Sequence, residues 1–142
     1  MKTLVIHHLE SMWESSYLKV GGISYEDLLY RFREHLEDTE YDRVILTRFE
    51  DNRFEPEHET IQEFVNEVYD YAYGWEDSEE TRGEDFCEGG SHSERVYIAE
   101  WMRSLSGDVY ISGAFEGECI EDLEIALSHV GVKFNKIRSL IL

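Results

Sequence analysis

The sequence has little proline, cysteine or lysine: its 142 residues include one proline, two cysteines and four lysines. A single proline leaves no Pro-rich linker, and the length suits one core, so we expect one domain over residues 1–142. Two cysteines with no CxxC spacing exclude a disulfide framework and favour a reducing, cytoplasmic compartment. Apolar runs such as Leu4–Ile6 are too short to cross a membrane, and no signal-peptide pattern is present at Met1, so no membrane partner is expected.

Positive charge is also scarce, because 13 bases face 32 acids and give a net charge of −19. A surface this negative repels phosphate backbones, which excludes nucleic-acid binding through a basic groove. Three interpretations remain: simple solubility, a high-salt host, or an acidic surface that occupies a basic site on another protein. The excess of Glu over Asp fits the high-salt interpretation poorly.

One segment, residues 76–90 (EDSEETRGEDFCEGG), combines seven acids with three glycines. Like charges repel and little apolar surface is available to bury, so the composition predicts an exposed, mobile loop. A lid over a site is the functional alternative.

Elsewhere, helical and strand patterns alternate. Strands are predicted over Leu4–Leu9, Val44–Phe49, Val109–Ser112 and within Val132–Leu142. Apolar residues at helical spacing predict four helices. The first starts at Ser24, and the second includes Ile61–Ala72. The third starts at the Ser91/Glu94 capping box with Ile98, Trp101, Met102 and Leu105 inward, and the fourth runs from about Glu118 to Val130 before Gly131. Such alternation is typical of a mainly parallel sheet covered by helices, whose ligands bind at the carboxyl ends of the strands.

The segment Val109–Phe134 (VYISGAFEGECIEDLEIALSHVGVKF) resembles the nucleophile region of the isochorismatase-like cysteine hydrolases, which include nicotinamidases. In that family an apolar strand ends in Gly, a Cys follows six residues later, and a second Gly comes twelve residues after the Cys. Gly113, Cys119 and Gly131 have these spacings. LVIHHLE and VILTRFED resemble the first and second strands of the family.

The resemblance implies a Rossmann-like three-layer αβα sandwich with a mainly parallel sheet, and a homo-oligomer. It implies that Cys119 is the catalytic nucleophile in the first turn of a helix, where the helix dipole favours the thiolate and a pKa below about 8.5. It also implies a non-proline cis peptide bond between Ala114 and Phe115. Backbone N–H groups of Ala114, Phe115 and Glu118 would then form the oxyanion turn.

The sequence departs from the family at two catalytic positions. His7 stands where the family has its aspartate, and no lysine occurs between Lys19 and Lys133; Arg53, Arg82 and Arg95 are the alternative cations. A Cys–His pair of Cys119 and His7 is one hypothesis, with imidazole taking the thiol proton. The structural alternatives are a backbone-bonded His7 and a Cys119 buried for packing alone. Strand alternation places His8 on the opposite face.

No metal or other cofactor is expected, because the family's Asp-x-His spacing is absent near Glu50, Asp51 and His58. The resulting hypothesis is a diverged isochorismatase-like protein, either a cysteine-dependent hydrolase of a small amide or a small-molecule binder that has lost turnover. The alternative is a non-catalytic acidic interaction protein, viral or accessory, that binds a basic protein surface.

Overall fold

The computed structural model describes residues 1–8, 25–47, 75–78, 85–89 and 95–142. In chain order, the elements of these residues are β1 (Lys2–His7), α1 (Tyr25–Asp38), β2 (Arg43–Thr47), β3 (Trp75–Ser78), β4 (Asp85–Glu88), β5 (Arg95–Ile98), α2 (Glu100–Arg103), β6 (Asp108–Gly113), α3 (Cys119–His129) and β7 (Phe134–Ile141). No described helix is long and apolar enough to cross a membrane. The predicted helix that includes Ile61–Ala72 lies outside the described residues.

Five strands form one sheet in the order β3-β2-β1-β6-β7, and every neighbouring pair is parallel. In the register of the three central strands, His7 lies opposite Thr47 on one side and Gly113 on the other. These strands therefore lie side by side with their carboxyl ends at one edge, as the sequence predicts. The α/β class is confirmed.

The two faces of the sheet have different roles. Val5, Ile45 and Ile111 are paired across neighbouring strands, so they share one face, and they belong to a buried cluster with Ile120 and Leu127 of α3. His7, two residues beyond Val5, lies on this same face because strand side chains alternate. The face that carries His7 is thus the face against which α3 packs.

Helices α1 and α3 follow the sequence prediction closely. Leu28 and Phe32 of α1 are buried, as their helical spacing predicts. At the end of α3, Gly131 adopts a positive φ of 79°. The Val132 N–H donates to the Leu127 carbonyl at 2.9 Å, and the Gly131 N–H donates to the Ser128 carbonyl at 3.1 Å. These two bonds form a Schellman motif, which ends α3 in the way that the glycine predicts.

The predicted helix after Ser91 is wrong over residues 95–98. Those residues form β5, which pairs antiparallel with β4 in a second, two-stranded sheet, and only Glu100–Arg103 is helical. Val96 and Ile98 are buried at a spacing of two. Their β-branched side chains pack well on a pleated surface, so the strand preference outweighs the helical spacing. The capping-box residues Ser91 and Glu94 lie outside the described residues.

The acidic segment 76–90 is not one uninterrupted loop. It includes the last three residues of β3, which pairs with β2, and the whole of β4. Residues 79–84 and residue 90 lie outside the described residues. The mobility of the segment and its role as a lid stay predictions.

Candidate functional site

His7 ends β1 at the carboxyl edge of the sheet, and only 4% of its surface is exposed. Its Nδ1 atom lies 2.6 Å from Oγ1 of Thr47, the last residue of β2. The ring also hydrogen-bonds to the backbone of Cys119, at the start of α3. The two residues that the sequence predicts as a pair are therefore neighbours, joined through the Cys119 backbone.

The hydrogen bonds of the His7 ring indicate which nitrogen carries its proton. The bond to Cys119 raises the pKa of His7, so the ring N–H donates and the acceptor is the Cys119 carbonyl oxygen. The His8 backbone N–H donates to the Thr47 carbonyl at 3.1 Å and also lies 3.4 Å from Thr47 Oγ1. Since the ring N–H is used at Cys119, the Thr47 hydroxyl donates its proton to His7 Nδ1. The neutral ring then has its proton on Nε2. Both nitrogens are engaged, and the one lone pair of the neutral ring, on Nδ1, faces the Thr47 hydroxyl.

Burial lowers the pKa of His7 well below 6.5, and the neighbouring His8 ring lowers it further, while the bond to Cys119 opposes the shift. Protonation of a buried imidazole costs hydration free energy, and the groups around His7 do not offset this cost. The ring is consequently neutral at pH 7. This environment therefore disfavours a His7 imidazolium that would stabilise a Cys119 thiolate.

His8 does not lie on the opposite face of the strand, so that expectation is wrong. Its φ of 52° takes the backbone out of the extended conformation, and the alternation of side chains ends there. The His8 ring instead stacks on His7, with ring centroids 3.9 Å apart and planes 20° apart. Burial lowers the pKa of His8 to about 4. The edge thus contains two buried, neutral imidazoles in contact.

Cys119 is the first residue of α3 and is half-buried. The helix dipole favours a thiolate at this end. Two acids, Glu121 and Asp122, occupy the same first turn, and their negative charge opposes the dipole. The helix start alone therefore gives Cys119 little electrostatic activation.

The turn between β6 and α3 has the predicted cis peptide bond between Ala114 and Phe115. The Ala114 N–H donates to the His7 carbonyl at 3.0 Å, and the Glu118 N–H donates to the Phe115 carbonyl at 3.0 Å. Two of the three N–H groups predicted for the oxyanion turn are thus already bonded in this conformation, one to the end of β1 and one within the turn. An oxyanion would have to compete with those carbonyls for them.

Gly113 is required where β6 meets β1. Its φ is 117°, and a Cβ atom there would lie 1.9 Å from the carbonyl oxygen of His7. A real side chain cannot approach a backbone oxygen so closely. The glycine therefore lets the turn pass directly beside the last residue of β1, which brings Cys119 next to His7.

Lys136 of β7 is a site neighbour that the sequence analysis misses. Its Nζ atom lies 2.6 Å from Oε1 of Glu116, in the turn before Cys119, and 3.3 Å from Oε1 of Glu124 in α3. A search for a lysine before residue 133 overlooks it. The signal was available, because a strand that follows α3 in a parallel sheet lies beside β6.

Among the other candidate cations and ligands, the structure describes Arg95 alone. Arg95 is exposed on β5, and Arg53 and Arg82 lie outside the described residues, as do Glu50, Asp51 and His58. The described part of the chain contains no group of three or more His, Cys, Asp or Glu residues that could hold a metal ion. A groove of about 820 Å³ lies at the opposite edge of the sheet, where its lining includes Asp108, Ser128 and Lys133.

Comparison with protein-family models, curated proteins and solved structures gives no match for this chain.

Proposed function

We propose that this chain is a diverged, homo-oligomeric isochorismatase-like protein, with the three-layer αβα sandwich of that family. Its function is to bind a small molecule at the carboxyl edge of the sheet, beside His7, His8 and Cys119, without the turnover of the family. The family assignment rests on the Gly113–Cys119–Gly131 spacing and on the strand order, which agrees with a parallel α/β fold.

The observation that carries the proposal is the hydrogen-bonded junction of His7, Thr47 and Cys119 at this edge. Carboxyl ends of parallel strands are where α/β proteins bind their ligands. Burying a histidine ring costs hydration free energy, and here two rings are buried in contact with fixed orientations. Such rings are better suited to orienting a bound ligand than to filling the core. Since both rings are uncharged at pH 7, the site suits an uncharged polar ligand.

Turnover is disfavoured by the same geometry. Hydrolysis of an amide by a cysteine needs a base for the thiol proton, donors for the oxyanion and an acid for the leaving amine. Burial makes His7 a weak base, and its two nitrogens face Thr47 and the Cys119 carbonyl. The N–H groups of Ala114 and Glu118 are already bonded to the carbonyls of His7 and Phe115. Each of the three requirements would need a rearrangement.

Protection of Cys119 from alkylation tests the proposal, with Cys87 as an internal control because it is also half-buried. A panel of small uncharged amides and heterocycles is added before iodoacetamide, and each cysteine is quantified by peptide mass spectrometry. We expect at least one compound to slow labelling of Cys119 but not of Cys87, and no ammonia release above that of Cys119→Ala. Protection by none of the compounds would contradict binding, and ammonia release that depends on Cys119 would contradict the loss of turnover.

A further inference from the structure

Lys136 connects three elements that meet at the site. Its position in β7 is opposite Ile111 of β6, so its side chain lies on the face that α3 covers. Only 13% of the side chain is exposed. From there its ammonium group bonds to Glu116 of the turn and to Glu124 of α3. One cation thus joins β7, the turn before Cys119, and the helix that begins with Cys119.

The turn is also tied to β7 through its backbone. The Glu116 N–H donates to the Leu142 carbonyl at 2.6 Å, and the Leu142 N–H donates to the Gly113 carbonyl at 3.0 Å. Arg138 lies 3.9 Å from the other carboxylate oxygen of Glu116, but 76% of its side chain is exposed. An exposed pair contributes little, because water and salt screen it. Lys136 is the less exposed of the two cations and makes the shorter bond.

We propose that Lys136 is the positioning residue of the site: it holds the turn at residues 113–119 against α3, and so sets the location and reactivity of Cys119 without touching the thiol. Two carboxylates surround its ammonium group. The lysine is largely buried, whereas Glu116 is exposed and Glu124 half-buried, so removing the lysine is expected to cost more than breaking a fully exposed pair does. Without Lys136, Glu116 would leave the network and the turn would lose its side-chain connection to the helix. The inference rests on the proposed function only where it concerns the reactivity of Cys119.

The electrostatic effect on Cys119 has a definite direction. The charged and titratable groups described on the elements around the start of α3 are His7 of β1 and His8 directly after it, Cys87 and Glu88 of β4, Arg95 and Tyr97 of β5, Glu116 and Glu118 of the turn, Glu121, Asp122 and Glu124 of α3, and Lys136 and Arg138 of β7. Acids outnumber cations in this set, and the two imidazoles are neutral at pH 7. Loss of Lys136 makes the surroundings more negative, which disfavours a thiolate.

Lys136→Met is compared with Lys133→Met, which removes the same charge from an exposed position, and with Lys136→Arg, which can still bridge two carboxylates. Hydrogen exchange of residues 113–120 is the first measurement. We expect exchange to be roughly tenfold faster in Lys136→Met and unchanged in the other two variants. Should Lys136→Met fail to fold, Glu116→Gln removes the same bond from an exposed residue and is expected to speed exchange likewise.

The second measurement is the rate of Cys119 alkylation from pH 6 to 9. We expect Lys136→Met to be roughly fivefold slower at pH 7.5, with its profile moved to higher pH, and Lys136→Arg to regain the wild-type profile. Unchanged exchange in Lys136→Met, equal effects of Lys133→Met, or no rescue by Arg would each overturn the proposal. The exchange result stands whether or not a small molecule binds, so failure of this inference is distinguishable from failure of the proposed function.

Discussion

The two ends of the parallel sheet both contain a histidine whose pKa is lowered by burial, but the two histidines have different surroundings. At the carboxyl edge, His7 bonds to Thr47 and to the Cys119 backbone, and its only ring neighbour among the described residues is the equally neutral His8. At the amino edge, the Nε2 atom of His35 lies 2.5 Å from the hydroxyl of Tyr41.

The amino edge is also charged and more open. The ammonium group of Lys2 lies 5.4 Å from the ring of Tyr41 and 5.3 Å from that of Tyr110, at cation–π distances. His35 and both tyrosines are only half-buried. The comparison shows that a histidine pKa lowered by burial does not by itself distinguish a candidate site from a structural cluster. The carboxyl edge differs because its polar rings are both uncharged and almost fully buried, next to the start of α3 at Cys119.

The largest expected effect comes from Gly113→Ala, compared with Gly131→Ala at the far end of α3. Both glycines have positive φ, but a Cβ at Gly113 meets the His7 backbone whereas one at Gly131 has nothing within 4 Å. We expect the free energy of unfolding to fall by roughly 3–5 kcal/mol for Gly113→Ala. For Gly131→Ala we expect a fall of about 1 kcal/mol. Urea denaturation measures both, and equal effects would show that the contact with His7 is unimportant.

The second effect is the acid dependence of stability. His8 has a folded-state pKa of about 4, below the unfolded value, so the unfolded chain binds the proton first. The stability linked to the neutral His8 ring is therefore fully present above pH 6.5 and is lost as pH falls toward 4. Asn tolerates the positive φ at this position. Between pH 6.5 and 5, we expect the free energy of unfolding of His8→Asn to fall by about 2 kcal/mol less than that of the wild type.

His35→Gln is the control at the amino edge. Burial and Lys2 lower the pKa of His35, and Asp38 opposes the shift, so the direction of the pH effect is the same but the half-exposed ring gives a smaller one. Urea midpoints at pH 5, 5.7 and 6.5 measure both variants. An equal or larger change for His35→Gln would reverse the ranking of the two edges.

The smallest effect concerns the amino edge at high pH. Burial raises the pKa of Tyr41 to about 12, with Tyr110 adding to the shift. A raised folded-state pKa means that stability is complete below pH 10 and is lost as pH rises toward 12. Between pH 9 and 11, we expect the free energy of unfolding of Tyr41→Phe to fall by about 1 kcal/mol less than that of the wild type. This figure is reduced because Tyr41 is partly exposed. Tyr30→Phe, at a position 60% exposed, is the control, and a similar change in that variant would contradict the assignment.

The parallel order of β1, β2 and β6 could be predicted because strand-length apolar runs alternate with helical spacing. The helix predicted after Ser91 failed over residues 95–98 because Ile98 suits both the helical spacing with Trp101 and Met102 and the strand spacing with Val96, and only the pairing with β4 decides between them. At the site, the resemblance selected Cys119, His7 and the cis bond at Ala114. The stacking of His8 could not be predicted, because it depends on one backbone angle that a histidine rarely adopts. The place of β7 beside β6 could be predicted from the strand that follows α3, but the bonds of Lys136 to Glu116 and Glu124 could not, because they depend on side-chain positions.

The central claim is that His7 orients the site as a neutral ring and does not act as the partner of a Cys119 thiolate. The pH dependence of Cys119 alkylation, measured in the wild type and in His7→Ala, tests it most directly. The account predicts a single thiol titration in both proteins, with no reactive plateau below pH 6 and no inflection from an imidazole. A plateau at low pH that disappears in His7→Ala would demonstrate a thiolate–imidazolium pair, and would contradict the account.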